Sequence, residues 1–227
     1  MTELTQYQIY ELLNRPGPLW LRNIDLRGAD LSKANLRGAN LGGANLSKAN
    51  LHDADLSEAD LSAAILVDAN LTKANLSQAD LRKADFSKAL LNGANLSESV
   101  MIETILTVAD LNGADLRGAI LSNADLRGAD LREAKLRGNL VGADLTGANL
   151  SKAILVLAVL RDANMTGCDL TEADLRNANL TGVNLTEANL SGASLGETNL
   201  TGAVLLGATM PDGVKQDRYL EPAAQPA

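Results

Sequence analysis

From Leu21 to Met210 an apolar residue, nearly always leucine, returns every five residues with a single four-residue step, and a small residue, usually alanine, stands two places before it. The run Ala29-Asp30-Leu31-Ser32-Lys33, Ala34-Asn35-Leu36-Arg37-Gly38 and Ala39-Asn40-Leu41-Gly42-Gly43 gives the phrase in its plain form: Ala, Asp or Asn, Leu, then two polar or small residues. This spacing excludes an amphipathic α-helix, because five residues advance about 500° and place each Leu roughly 140° from the last. Frequent Gly, Asn and Asp also oppose helix. Ala and Leu lie two apart, so on extended chain they share one side and the intervening Asp or Asn takes the other. The two remaining residues suit a turn. Each unit therefore reads as a short wall and a corner. A chain of such units turning one way makes stacked coils with strand-like spacing of about 4.8 Å.

The pattern Ala-(Asp/Asn)-Leu-x-x, repeated over about five-sixths of the chain, resembles the pentapeptide-repeat family. The resemblance implies an all-β solenoid, a right-handed quadrilateral (four-sided) β-helix with four units and 20 residues per coil. It also implies a cyanobacterial-type protein, from a family most of whose members have no assigned activity. Members of the family that protect DNA gyrase carry loops or a dimerising C-terminal helix, and neither is evident here.

Three segments follow. Residues 1–18 are expected to form a capping α-helix and linker, with Leu4, Tyr7, Ile9, Tyr10, Leu12 and Leu13 as its apolar face, Thr2 as N-cap and residues 14–18 as its stop. An open coil end exposes a disc of Leu and unpaired edges, so a lid with Trp20 close by is expected; a helix recruiting a partner is the alternative. Residues 19–210 form the repeat region, with 24 units from Leu21 to Leu136 and 15 from Leu140 to Met210. Between these runs, Leu136-Arg137-Gly138-Asn139-Leu140 leaves four steps instead of five, which reads as an Ala skipped between Gly138 and Asn139. A tightened corner is expected over a break between two solenoids. Residues 211–227 open on the turn signal Pro211-Asp212-Gly213, leave Val214, Tyr219 and Leu220 to cover the last layer partly, and end in a flexible tail.

Composition narrows the function classes. Aromatic residues make up 2% of the chain, so the core is Leu and Ala in stacked layers rather than an aromatic-rich globule. A net charge of −8 opposes direct nucleic-acid binding. No apolar run approaches membrane-spanning length and residues 1–18 lack a signal-peptide pattern, so a cytoplasmic protein with no membrane contact is expected. His52 and Cys168, one of each, assemble no zinc set. His52 follows the central Leu51 and faces outward; Cys168 occupies an inward Ala position and reads as a buried small apolar residue. No catalytic constellation stands out, so no enzyme, cofactor or metal site is expected. The outward Asp and Asn read as side-chain ladders or turn caps, with cation binding as the alternative.

Acidic solenoids of this type can imitate DNA. Here, however, the four faces carry net charges of 0, −2, −3 and −1 across residues 21–210, with Lys and Arg interleaved. A DNA-mimicking regulator of an enzyme such as gyrase is therefore the alternative reading. The leading one is a scaffold or protein-binding module, with a protein partner or self-association through apolar outward residues of the middle coils: Val100, Ile102, Ile105, Val108, Ile120, Val141 and Val159, with Ile154, Val156 and Leu157 nearby.

Overall fold

The computed structural model describes residues 5–13 and 19–216. Expectations for Thr2, Leu4, residues 14–18, Tyr219 and Leu220 lie outside the described residues. The repeat region is a right-handed quadrilateral β-helix. Parallel bridges join outward residues 20 apart, Trp20 to Asn40 and Asn40 to Asp60 for example, so each coil holds four units. Coils are numbered here from Trp20. Wall 1 presents Trp20, Asn40, Asp60, Asp80, Val100, Ile120, Asn139, Val159, Asn179 and Asn199, and walls 2, 3 and 4 begin with Asp25, Asp30 and Asn35.

Every unit solves the same hydrogen-bonding problem. The outward residue donates to the coil before it (Asn40 N–H to Leu19 O, 2.8 Å), and the central Leu to the coil after it (Leu41 N–H to Asp60 O, 2.7 Å). The second corner residue also reaches the next coil (Gly43 N–H to Ser62 O, 2.8 Å), while the inward Ala closes the turn (Ala44 N–H to Leu41 O, 2.9 Å). That leaves one donor per unit, the N–H of the first corner residue. The outward Asp or Asn accepts it, as Asn40 Oδ1 does from Gly42 N–H at 3.2 Å and Asp55 Oδ1 from Ser57 N–H at 3.0 Å. The recurring Asp or Asn is thus a turn cap, and it is the reason an acid or its amide recurs at a solvent-facing position. The second corner residue takes positive φ, between +53° and +62° where it is not glycine. Lys, Glu, Asp and Asn hold most of these places, but Val108 (φ 57°) and Leu157 (φ 62°) do so as well. A β-branched residue is poorly suited there.

Inside, the Leu and Ala layers form one continuous cluster, with Phe86 in a central Leu position and fully buried. Polar stand-ins at Ala positions are satisfied by carbonyls: Thr104 Oγ1–H donates to Leu81 O at 2.7 Å, and the Cys168 thiol to Leu145 O at 2.9 Å.

The helix α1 spans Gln6–Leu13, within the segment expected to hold it. Its N-cap is Thr5, in a reciprocal capping box: Gln8 N–H donates to Thr5 Oγ1 (3.3 Å) and Thr5 N–H to Gln8 Oε1 (2.8 Å). Ile9 is buried in the core cluster and Leu12 and Ile24 pack against it. Trp20 does not join them; it occupies an outward wall position and is 82% exposed. At the other end, the chain reverses at Pro211-Asp212-Gly213 and pairs back antiparallel, Lys215 opposite Thr209, so one edge of the last coil is covered. Val214 points away, 61% exposed.

The phase slip is a tightened corner within one solenoid. Coil 6 has 19 residues: Ile120 bridges Asn139, Lys135 bridges Ile154, and the 20-residue step resumes from Asn139 to Val159. The residue that is missing differs from the sequence reading. Gly138 takes the inward place of Ala, since its carbonyl accepts Val159 N–H (3.0 Å) as an Ala carbonyl does elsewhere. The second corner residue is the one lost, and a three-residue turn replaces the usual four, Gly138 N–H donating to Leu136 O at 2.9 Å. Glycine is required by proximity, because a Cβ at this position would lie 2.6 Å from Ala119 O.

Candidate functional site

His52 lies on the surface with Nε2 3.1 Å from Asp53 Oδ2. Burial pushes the Cys168 thiol up to about 12, so it carries no thiolate near neutrality. Among the described residues no group of three or more His, Cys, Asp or Glu is placed to hold a metal. No helix there is long and apolar enough to cross a membrane.

Acidic charge is locally offset. In six units the outward Asp is followed two residues later by Arg, and the guanidinium folds back on the carboxylate: Asp25–Arg27, Asp80–Arg82, Asp115–Arg117, Asp125–Arg127, Asp130–Arg132 and Asp174–Arg176. Hydrogen bonds from the Arg side chain hold each of these carboxyls below the ordinary Asp range. The Ser57 hydroxyl and N–H do the same for Asp55.

The structure brings together some of the sequence-predicted surface residues and separates others. Val100 and Ile120 are bridged neighbours on wall 1, and Val159 continues that column two coils on, with Asn139 between. Ile102 and Val141 flank it at the corner towards wall 2, alternating with Ser122. Ile105 lies on wall 2 with Asp85 and Asp125 above and below. Val108 is at the far corner of wall 2, packed over Gly128 and 61% exposed. Neither Ile105 nor Val108 shares wall 1, because five residues carry the chain round a right-angled corner. On the other flank, the corner entering wall 1 carries Val156 and Leu157, and wall 4 carries Ile154; Leu157 is 48% exposed. The apolar surface is therefore wall 1 of coils 5–8 and its two adjoining corners.

A family model for pentapeptide repeats matches the chain in eight copies, over residues 24–62, 64–102, 79–118, 106–138, 139–177 and 178–212. Among solved structures the chain is similar to HetL, a pentapeptide repeat protein involved in heterocyst differentiation regulation from the cyanobacterium Nostoc sp. strain PCC 7120. Identity is 32% over 95% of this chain and 100% of HetL, with a TM-score of 0.55. Rfr23, a pentapeptide repeat protein from the cyanobacterium Cyanothece 51142, is 41% identical over 40% of this chain and 58% of its own, with a TM-score of 0.21. QnrB1, a plasmid-mediated fluoroquinolone resistance protein, is 20% identical over 86% of this chain and 90% of its own, with a TM-score of 0.38. Comparison with curated proteins finds no match.

Proposed function

The chain belongs to the pentapeptide-repeat family, and from that premise we propose that it is a non-enzymatic scaffold binding a protein partner through wall 1 of coils 5–8. One observation carries the reading. Val100, Ile120 and Val159 stand where Asp or Asn caps the corner, and among the described residues no protein group accepts the N–H of Ile102, Ser122 or Arg161. Each replacement forgoes a hydrogen bond worth about 0.5–1.5 kcal/mol and puts a greasy side chain in water. Apolar residues also replace the cap at Ile65, Ile105 and Val204 on wall 2, but among the described residues only wall 1 has two on successive coils, Val100 and Ile120, and that contiguity favours a covered wall. HetL's involvement in regulating differentiation agrees with a regulatory rather than metabolic role.

The alternative, a DNA-imitating regulator, needs a long negative wall. Wall 1 with its following corner is neutral, and the Asp–Arg clamps offset the acids on the others. A supercoiling assay with gyrase tests that alternative directly.

The deciding variant is Val100→Asn with Ile120→Asn, which restores two caps. It should raise the unfolding midpoint while abolishing co-purification of the partner from native lysate, or self-association in sedimentation velocity if the partner is a second copy. Retention of the same bound protein at unchanged affinity refutes the proposal.

A further inference from the structure

The shortened corner of coil 6 sits along the edge of wall 1, and its surroundings reverse the charge found in the six clamped units. At wall 4 of coil 6 the outward residue is Lys135 where six other units with an Arg two residues on carry Asp. The usual Asp-Leu-Arg clamp thereby becomes Lys135-Leu136-Arg137, and neither cation forms an ion pair among the described residues, whereas Arg117 on the coil below is held by Asp115. Lys135 bridges Asp115 on one side and Ile154 on the other. Ladder neighbours stand about 4.8 Å apart, so Arg117, Lys135 and Arg137 crowd one spot.

The space there has a physical origin. At the second corner position coil 5 has Gly118, with no side chain, and coil 6 has no residue at all. What remains is a hollow of about 260 Å³ lined by Arg117, Lys135, Arg137, Ile154 and Val156. A second, of about 430 Å³, shares Arg117 and Arg137 and includes Gly118 and Glu98. The deleted corner N–H would have met the Val156 carbonyl, which is left without a ladder donor. The site thus offers two cations outside any ion pair among the described residues, with Asp115 the acid that Lys135 feels, an apolar floor and a backbone acceptor, on a protein of net charge −8.

We propose that this notch receives an acidic side chain flanked by an apolar one, projecting from the protein that covers wall 1. This inference rests on reading wall 1 as the partner-binding surface and specifies the partner's chemistry. Like charges held together favour an anion between them, and Arg forms the geometrically specific, charge-assisted bonds that carboxylates accept. The floor of Ile154 and Val156 favours a peptide over a bare ion or nucleic acid.

The test uses the full chain and a fluorescein-labelled peptide, Glu-Leu-Glu-Leu-Glu, followed by anisotropy, with Gln-Leu-Gln-Leu-Gln and a duplex DNA of matched label as comparators. Lys135→Asp re-creates the clamp found in six other units, so folding is retained. It should weaken the acidic peptide about tenfold or more, the scale of a lost charge-assisted bond, and the Gln peptide should bind no better to wild type than to this variant. Val100→Asn with Ile120→Asn should keep the short peptide's binding, because the notch is intact. Equal binding of the acidic peptide to wild type and Lys135→Asp overturns the inference, as does preference for DNA or for a second copy of the chain. A partner lost by the wall 1 variant but indifferent to Lys135→Asp would leave the proposed function standing and remove the notch from it.

Discussion

Gly138→Ala is a single-methyl change at the tightest point of the solenoid, and its cost follows from geometry. The new Cβ would lie 2.6 Å from Ala119 O and 3.4 Å from Leu116 O. Carbon–oxygen approaches settle near about 3.3 Å, so roughly 0.7 Å must be recovered. The obstruction is backbone, and the Ala119 carbonyl is already the acceptor for Asn139 N–H at 3.0 Å. Moving it stretches a ladder bond between coils 5 and 6. Overpacking costs about 1–3 kcal/mol and a weakened hydrogen bond about 1 kcal/mol, giving about 2–4 kcal/mol. For a chain of this size that lowers the melting midpoint by roughly 4–16 °C. The assay is thermal unfolding by circular dichroism, with amide exchange reporting whether protection is lost first at Asn139. A companion variant inserts Asn between Arg137 and Gly138 together with Gly138→Ala, restoring the five-residue unit; it should melt near wild type and close the notch. A Gly138→Ala midpoint within about 1 °C of wild type would refute the account of the short corner, since no side-chain adjustment can relieve a clash between a Cβ and a backbone carbonyl.

Val108→Asn places at positive φ a residue that suits it, as Asn23, Asn123 and Asn177 already do; it should stabilise by about 1 kcal/mol, read from urea unfolding, and a lowered midpoint would contradict the strain argument. The carboxyls of Asp80, Asp115, Asp125, Asp130 and Asp174 are depressed in the folded chain by their Arg partners. Their stabilisation is full above the unfolded Asp range near about pH 4 and is lost as pH falls through the lower folded values. Melting midpoints should hold from pH 7 to 5 and drop below about 4; a flat profile to pH 2.5 would exclude the clamps as contributors. Cys168, buried and raised to about 12, should resist a thiol-specific disulfide reagent in the native state and react at once in denaturant; fast native labelling would contradict its burial.

The phrase Ala-(Asp/Asn)-Leu made the core legible before any coordinates, because inward positions two apart on extended chain are a geometric necessity. The role of the outward acid was legible only in part. That it caps a corner requires knowing which N–H the other bonds leave over, and that emerges from the stacking of coils. The position of the phase slip was plain from residues 136–140, yet Gly138 was mistaken for a corner residue because glycine occupies so many corners here. Ile105 and Val108 were legible as lying on a neighbouring wall and corner, since five residues carry the chain to the next wall. The basic notch was overlooked although its signal was present: Lys135-Leu136-Arg137 is the clamp phrase with its acid reversed, next to the missing residue.

The ladder of outward residues stays in register through the shortened coil, although one corner donor is lost there. Its outward positions are therefore graduations on a ruler, fixed along the axis by about 4.8 Å and round it by a quarter turn. Letters can be exchanged at one graduation without moving the next, so a surface for a new partner can be written on one wall while the other three keep their spelling. Losing a residue at a corner leaves the columns aligned and opens a gap between two graduations, a change that substitution alone cannot make.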